Sequence, residues 1–147
     1  MRFAHPNSPN DAGWLQLRAE LWPHASTSEH VADLERWLQT GHFACVAYAG
    51  QTPVGLAEAS SRSDYVNGTS TSPVAFLEGL YVVPTYRRRG VATSLVTEVR
   101  RWARSRGLTE LASDSPLDNT VSHAVHRALG FAETERVVYF NSQVAGA

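Results

Sequence analysis

The chain has 147 residues, 43% hydrophobic and 18% charged, the make-up of one globular domain over 1–147 with a sizeable core. No apolar run approaches the roughly 18 residues of a membrane span, and Met1-Arg2-Phe3-Ala4-His5-Pro6 lacks the apolar stretch of a secretory signal. The single cysteine, Cys45, excludes an internal disulfide and makes the cytoplasm the expected compartment. The net charge of −1 hides a segregation: residues 87–106 carry seven arginines and one acid, a net +6, and the remainder sums to −7. The arginine block suits an anion. The acidic remainder suits cations and would repel a nucleic acid.

Arg2-Phe3-Ala4 reads as a short first strand. Asn10 or Asp11 can cap a helix with Trp14, Leu17, Leu21 and Trp22 on one face, ended by Pro23. Ser28 is the expected cap of a second helix carrying Val31, Leu34, Trp37 and Leu38, with Gly41 at its stop. Phe43 to Ala49 is a strand, Gly50-Gln51 a turn, and Val54 to Ser60 the partner strand. Cys45 lies inside the apolar run Phe43-Ala44-Cys45-Val46-Ala47-Tyr48, the place of a core residue rather than a nucleophile. The polar stretch Arg62 to Pro73, with the turn signal Asn67-Gly68, is long enough to suggest a functional loop.

The central strand is expected over Val74 to Val83. Gly79 within it marks a bulge or a close approach. A long helix follows from Gly90 to Arg106, with Ala92, Leu95, Val96, Val99, Trp102 and Ala103 on one face and Gly107 as its stop. Thr109 to Ser113 reads as another strand. Asp118 or Asn119 can cap a last helix with Val121, Ala124, Val125 and Leu129, and Gly130 ends it. Ala132 to Phe140 is strand-like, and Asn141 to Ala147 looks frayed. A run of strands followed by alternating helices and strands predicts an α/β (α+β) domain with a mixed sheet and helices on both faces.

The junction between the central strand and the long helix is the most informative stretch. A strand that feeds directly into a helix leaves free N–H groups at the helix start, where the dipole favours an anion. Arg87, Arg88 and Arg89 add charge-assisted donors there. The turn is neither G-x-x-x-x-G-K-[ST] nor G-x-G-x-x-G. It reads Arg87-x-x-Gly90-x-Ala92, which resembles the [QR]-x-x-G-x-[GA] pyrophosphate loop of the GCN5-related N-acetyltransferases (GNAT).

Further blocks narrow the resemblance. Leu21-Trp22-Pro23, Asp64-Tyr65-Val66-Asn67-Gly68, Ser72 to Gly79, Ala112-Ser113-Asp114, Ala128-Leu129-Gly130-Phe131 and Glu133 to Val137 are similar to the aminoglycoside 6'-N-acetyltransferases of Gram-negative bacteria. The resemblance implies the GNAT fold, in which the central strand and the next one splay apart and acetyl-CoA enters the gap, with Gly79 as the bulge that starts the splay. It implies acetyl transfer from acetyl-CoA to the 6'-amine of an aminoglycoside, resistance to these antibiotics, and a homodimer.

Residue by residue, the resemblance implies that the backbone of Leu80, Tyr81 and Val82 lies along the pantetheine. The backbone of Arg88, Arg89, Gly90, Val91, Ala92 and Thr93 surrounds the pyrophosphate, and a backbone N–H near Leu80 serves as oxyanion donor. Asn119 contacts the cofactor. Trp22, Tyr65, Glu78, Asp114 and Glu135 match the positions that touch the acceptor, and the two aromatic rings offer faces to sugars.

The acceptor ammonium must lose a proton before it can attack. Glu78 and Asp114 close the two strands that splay, and either can take that proton, directly or through water. Asp114 is expected to bind the reacting ring and Glu78 to act through water, although the roles can be exchanged. An acid at 78 in an otherwise apolar run is costly unless it has a task.

Many relatives carry a Tyr on the last helix as the acid for the thiolate. Here that position holds His126, an imidazole able to donate near neutral pH. Tyr81 is the reserve. His123 and His126 are not at i, i+4 spacing and lack a third ligand, so no metal is expected. The alternatives are a GNAT enzyme acting on a polyamine or a protein amine, and a CoA-binding module without turnover. The acids at 78 and 114 favour an enzyme.

Overall fold

The computed structural model describes residues 1–145, and Gly146 and Ala147, the end of the expected 1–147 domain and of the expected frayed tail, lie outside them. Five strands form one sheet in the order β1 (Arg2–Ala4), β2 (Phe43–Ala49), β3 (Thr52–Arg62), β4 (Val74–Val82), β5 (Leu111–Ala112). The first three pairings are antiparallel and β4–β5 is parallel, so the sheet is mixed. The helices are α1 (Ala12–Leu21), α2 (Thr27–Gln39), α3 (Val91–Ser105) and α4 (Thr120–Ala128). The chain forms two compact units, Met1–Asp114 and a second from Ser115 onward.

In the first unit the sheet is covered on both faces. Trp14 and Leu17 of α1 and Leu34 of α2 are fully buried with Ala44, Val46 and Leu56 on one face. On the other face lie Val91, Leu95, Val96 and Val99 of α3, all buried. Strand alternation separates the two sets. Leu56 points to α1. Its neighbour Gly55 faces α3, where a β-carbon would stand 2.9 Å from Val91 Cγ1.

Local chemistry sets the helix starts. The Asp11 side chain accepts from Trp14 N–H (3.0 Å) and caps α1. The cap of α2 is Ser26, not the expected Ser28. Ser26 accepts from Glu29 N–H while Glu29 accepts from Ser26 N–H, satisfying two end donors at once. Ser28 has Val31 three residues on and cannot form that pair. Asn119, rather than Asp118, caps α4 by accepting from Ser122 N–H (3.1 Å).

Three other expectations change. β3 extends beyond Val54–Ser60 at both ends. Pro53 is accommodated because it faces Tyr48 at a register shift, where its missing N–H costs no regular rung. β5 is two residues long rather than Thr109 to Ser113. The stretch Ala132 to Phe140 forms no strand among the described residues, and Val138, Tyr139 and Phe140 are 65%, 83% and 93% exposed. β propensity describes fit to a neighbouring strand, and among the described residues none pairs with this segment.

Candidate active site

The site is organised by β4. Ala75 and Phe76 pair with Leu111 and Ala112, and there β5 ends. Among the described residues, β4 from Leu77 to Val82 is paired by β3 alone, so no strand pairs with its other edge. The bulge on β4 falls at Glu78, not at Gly79. Ala59 faces Leu77 and Glu58 faces Gly79, which leaves Glu78 as the extra residue. A bulge turns two successive residues to one side. The Glu78 carboxylate reaches Ser60 and Arg62, and the position of a Gly79 β-carbon points at Leu21 and Trp22 of the α1 region. Glu78 and Asp114 each lie two residues beyond the last β4–β5 pair, Phe76 and Ala112, and Asp114 is exposed.

Glu78 is held by three donor atoms. Ser60 Oγ donates to Oε2 (2.7 Å), Arg62 Nε donates to the same oxygen (3.1 Å), and Arg62 Nη2 bridges both oxygens. The Arg62 guanidinium also lies 3.5 Å from the centre of the Phe76 ring. Burial pushes the pKa of His42 below the ordinary imidazole value, with Glu78 opposing that shift. Tyr65 is 75% exposed, and residues 61–66 line a surface hollow of about 440 Å³.

Trp22, half-buried at the end of α1, is fixed from several sides. Its indole edge meets Gly79, and the Arg18 guanidinium lies 4.7 Å from its ring centre. Arg18 Nε and Nη2 donate to Glu58 Oε2 and Oε1 (2.7 and 3.1 Å), and Trp14 Nε1 donates to Glu58 Oε2 (2.8 Å). His30 bridges the group to the Trp22 backbone. Its Nε2–H donates to Trp22 C=O (3.2 Å), because a carbonyl can only accept. That leaves Nδ1 to accept from Arg18 (3.3 Å). Glu58 is fully buried, yet all its charge is answered. Sequence reasoning missed this network and Arg62. The available signal was an acid inside the apolar strand Val54-Gly55-Leu56-Ala57-Glu58-Ala59.

Downstream, Leu80 and Tyr81 are half-buried and Val82 buried, and a 3-10 turn at Pro84–Tyr86 leads into the arginine turn. Arg87 Nε donates to Val82 C=O (2.9 Å), tying the turn to the strand end. Arg89 lies over Tyr86, 4.9 Å from its ring centre. Arg88 (φ 63°) and Gly90 (φ 81°) are both left-handed. This conformation helps turn successive N–H groups toward one point. Gly90 is the N-cap of α3 and offers no side-chain cap, and a β-carbon there would meet nothing within 4 Å. Val91, Ala92 and Thr93 therefore open α3 with uncapped N–H groups beside exposed arginines. An open, uncapped helix start with surrounding cations fits a diphosphate.

The second unit carries the other expected residues. Asn119 is the N-cap of α4. His126 Nδ1 donates to Ser122 C=O (2.7 Å), and the ring sits edge-on to Phe131. Glu135 is exposed. Cys45, in the first unit, is fully buried, and burial pushes its thiol up to about 12. Among the described residues no three His, Cys, Asp or Glu side chains gather as metal ligands, and no helix is long and apolar enough to cross a membrane.

Comparison with known proteins gives the family. The model of the acetyltransferase (GNAT) family matches residues 12–131. An aminoglycoside N(6')-acetyltransferase type 1 from Acinetobacter genomosp. 13 is 53% identical over 135 residues, covering 90% of this chain and 92% of that protein. One from Salmonella typhimurium is 48% identical, with 88% and 90% covered. The crystal structure of the aminoglycoside antibiotic 6'-N-acetyltransferase AAC(6')-IG from Acinetobacter haemolyticus superposes with a TM-score of 0.91 at 44% identity, covering 98% of this chain and 99% of that one. AAC(6')-Iy in complex with the bisubstrate analogue CoA-S-monomethyl-acetylneamine gives the same TM-score and identity, with 97% of each chain covered. The chain belongs to the acetyltransferase (GNAT) family, and within it to the family of the type 1 aminoglycoside N(6')-acetyltransferases.

Proposed function

We propose that the chain transfers the acetyl group of acetyl-CoA to the 6'-amino group of aminoglycosides by direct attack within a ternary complex. The observation that carries this reading is the placement of Glu78 on the bulge of β4, beside the open strand edge that runs on to the uncapped start of α3. One strand thus offers a donor track and an acceptor carboxylate. The relatives' names supply the acceptor, and the bisubstrate complex of AAC(6')-Iy supplies the precedent for both substrates on one enzyme.

The steps follow from the chemistry. The β4 edge from Leu80 to Val82 pairs with the pantetheine amides as an added strand, and the backbone from Arg88 to Thr93 takes the pyrophosphate. Glu78 accepts the ammonium proton through water, and Asp114 holds the reacting ring. The amine nitrogen then attacks the thioester carbonyl, and an N–H near Leu80 steadies the oxyanion. As the oxyanion collapses the C–S bond breaks, leaving an amide and a thiolate that takes a proton. That proton is assigned to His126, with Tyr81 in reserve, on the resemblance of the last helix. Trp22, Tyr65 and Glu135 complete the acceptor contacts and Asn119 the donor contacts. Cys45 has no part, because its buried thiol holds its proton.

The reading treats 1–147 as one N-acetyltransferase domain, supported by a family match that runs from 12 to 131. It places the enzyme in the cytoplasm, where acetyl-CoA is made, without a metal, a membrane or a nucleic acid, and gives the host resistance to aminoglycosides. A homodimer is supported by the exposed apolar run Val138-Tyr139-Phe140, which a second copy can cover. CoA release is measured with acetyl-CoA and a panel of aminoglycosides with 6'-amino or 6'-hydroxyl groups, alongside spermidine and a lysine peptide. Release with the 6'-amino compounds alone is expected. Release with spermidine or the peptide, and none with any 6'-amino compound, overturns the reading.

A further inference from the structure

Resting on that reading, we propose that Arg62 is an internal cation that occupies Glu78 in the empty enzyme and yields it to the ammonium groups of the acceptor, which makes Arg62 a specificity-determining residue. Glu78 already has all the cationic partnership a carboxylate needs. Arg62 Nη2 bridges its two oxygens, and Arg62 Nε and Ser60 Oγ share Oε2. While the guanidinium spans the carboxylate, an ammonium finds three donors already on Oε2 and meets the like charge of Arg62 beside Oε1.

The pair is also built to open. The Arg62 side chain is 42% exposed and that of Glu78 22% exposed, so water screens the contact and can solvate the guanidinium when it leaves. Arg62 is the last residue of β3, where the chain enters the loop that carries Asp64 and Tyr65. Its other partner is the face of Phe76, which holds a planar cation without fixing its direction. The buried Arg18–Glu58 pair is the opposite case. Glu58 is fully enclosed and receives an indole N–H as well, so it cannot be displaced. An acceptor with a single weak charge cannot outbid a bidentate guanidinium, whereas one with several ammonium groups replaces it and adds contacts. Arg62 thereby sets a threshold of positive charge for the acceptor.

The test is calorimetric binding of tobramycin to the full chain loaded with CoA, which needs no turnover. Arg62→Gln removes the competitor. An exposed pair of this kind predicts that the tobramycin Kd falls by about two- to fivefold, while CoA binding stays unchanged. Arg62→Lys keeps the charge but not the two-atom grip, so its Kd is expected between those of wild type and Arg62→Gln. In a Glu78→Gln background, Arg62→Gln has no effect. A Kd in Arg62→Gln equal to or weaker than wild type, or the same fall with Glu78 neutralised, overturns the proposal. If the wild-type enzyme neither binds nor acetylates tobramycin, the function and this inference fall together. If it does both and Arg62→Gln is unchanged, the inference alone falls.

Discussion

The Cη2 atom of Trp22 lies 2.7 Å from where a β-carbon on residue 79 would stand, so the indole keeps its place only because residue 79 is glycine. Trp22 belongs to the α1 region and Gly79 to β4, one position after the bulge that presents Glu78. The contact therefore fixes a flat aromatic wall beside the proposed base. Gly79→Ala forces the ring aside at an overpacking cost of about 1–3 kcal/mol, and the acceptor KM is expected to rise about tenfold with the acetyl-CoA KM unchanged. Steady-state kinetics with each substrate varied separates this from a general loss of folded enzyme.

The Glu58–Arg18 pair behind Trp22 is expected to dominate local stability. Glu58→Ala leaves the 9% exposed Arg18 guanidinium only the half-exposed Asp33 carboxylate, 3.6 Å from Nη1, and the His30 ring, and costs about 3 kcal/mol. The double variant Glu58→Met with Arg18→Met removes both charges and costs far less. Urea unfolding of the three proteins checks this, and equal losses in the two variants would count against it.

Much of the frame was legible in the sequence, because periodicity reports burial directly. The apolar face of α3 and the Gly90 turn before it stand out in a single reading. The position of the bulge did not. It depends on which β3 residue faces which β4 residue, and that register is not written in β4 alone. Gly79 drew attention as the residue able to bend, and the ladder instead assigns the bulge to Glu78. Arg18 and Arg62 each find a carboxylate far along the chain, 40 and 16 residues away, and no local pattern joins them. The Ser26–Glu29 box is legible in the sequence, and it is this pair rather than Ser28 that caps α2. The strand-like end at 132–140 shows the reverse error. Its residues suit a strand, but a strand also needs a neighbour.

Cys45 makes stability sensitive to alkali. Burial lifts its thiol from 9.0 to about 12, so between those values the unfolded chain has released a proton that the folded chain retains. Folding is then disfavoured as pH rises, and the thiol's contribution is intact below 9. Between pH 8 and pH 10 the wild type should lose about 1 kcal/mol more than Cys45→Ala in urea unfolding. At pH 8 Ellman's reagent should find no reactive thiol until the protein is denatured.

His126→Ala tests the acid for the thiolate. Loss of a general acid is expected to lower kcat by about a hundredfold and to remove the alkaline fall in the pH profile. Tyr81→Phe should leave that profile unchanged. A His126→Ala enzyme with the wild-type profile would hand the role to Tyr81.

The most direct test of the account is the position of the acetyl group in the product. Kanamycin is turned over with acetyl-CoA labelled with carbon-13 in the acetyl group, and the product is read by two-dimensional NMR. One acetyl group is expected, on the 6'-nitrogen. An acetyl group on any other nitrogen or on a hydroxyl, or an unmodified antibiotic, would contradict it.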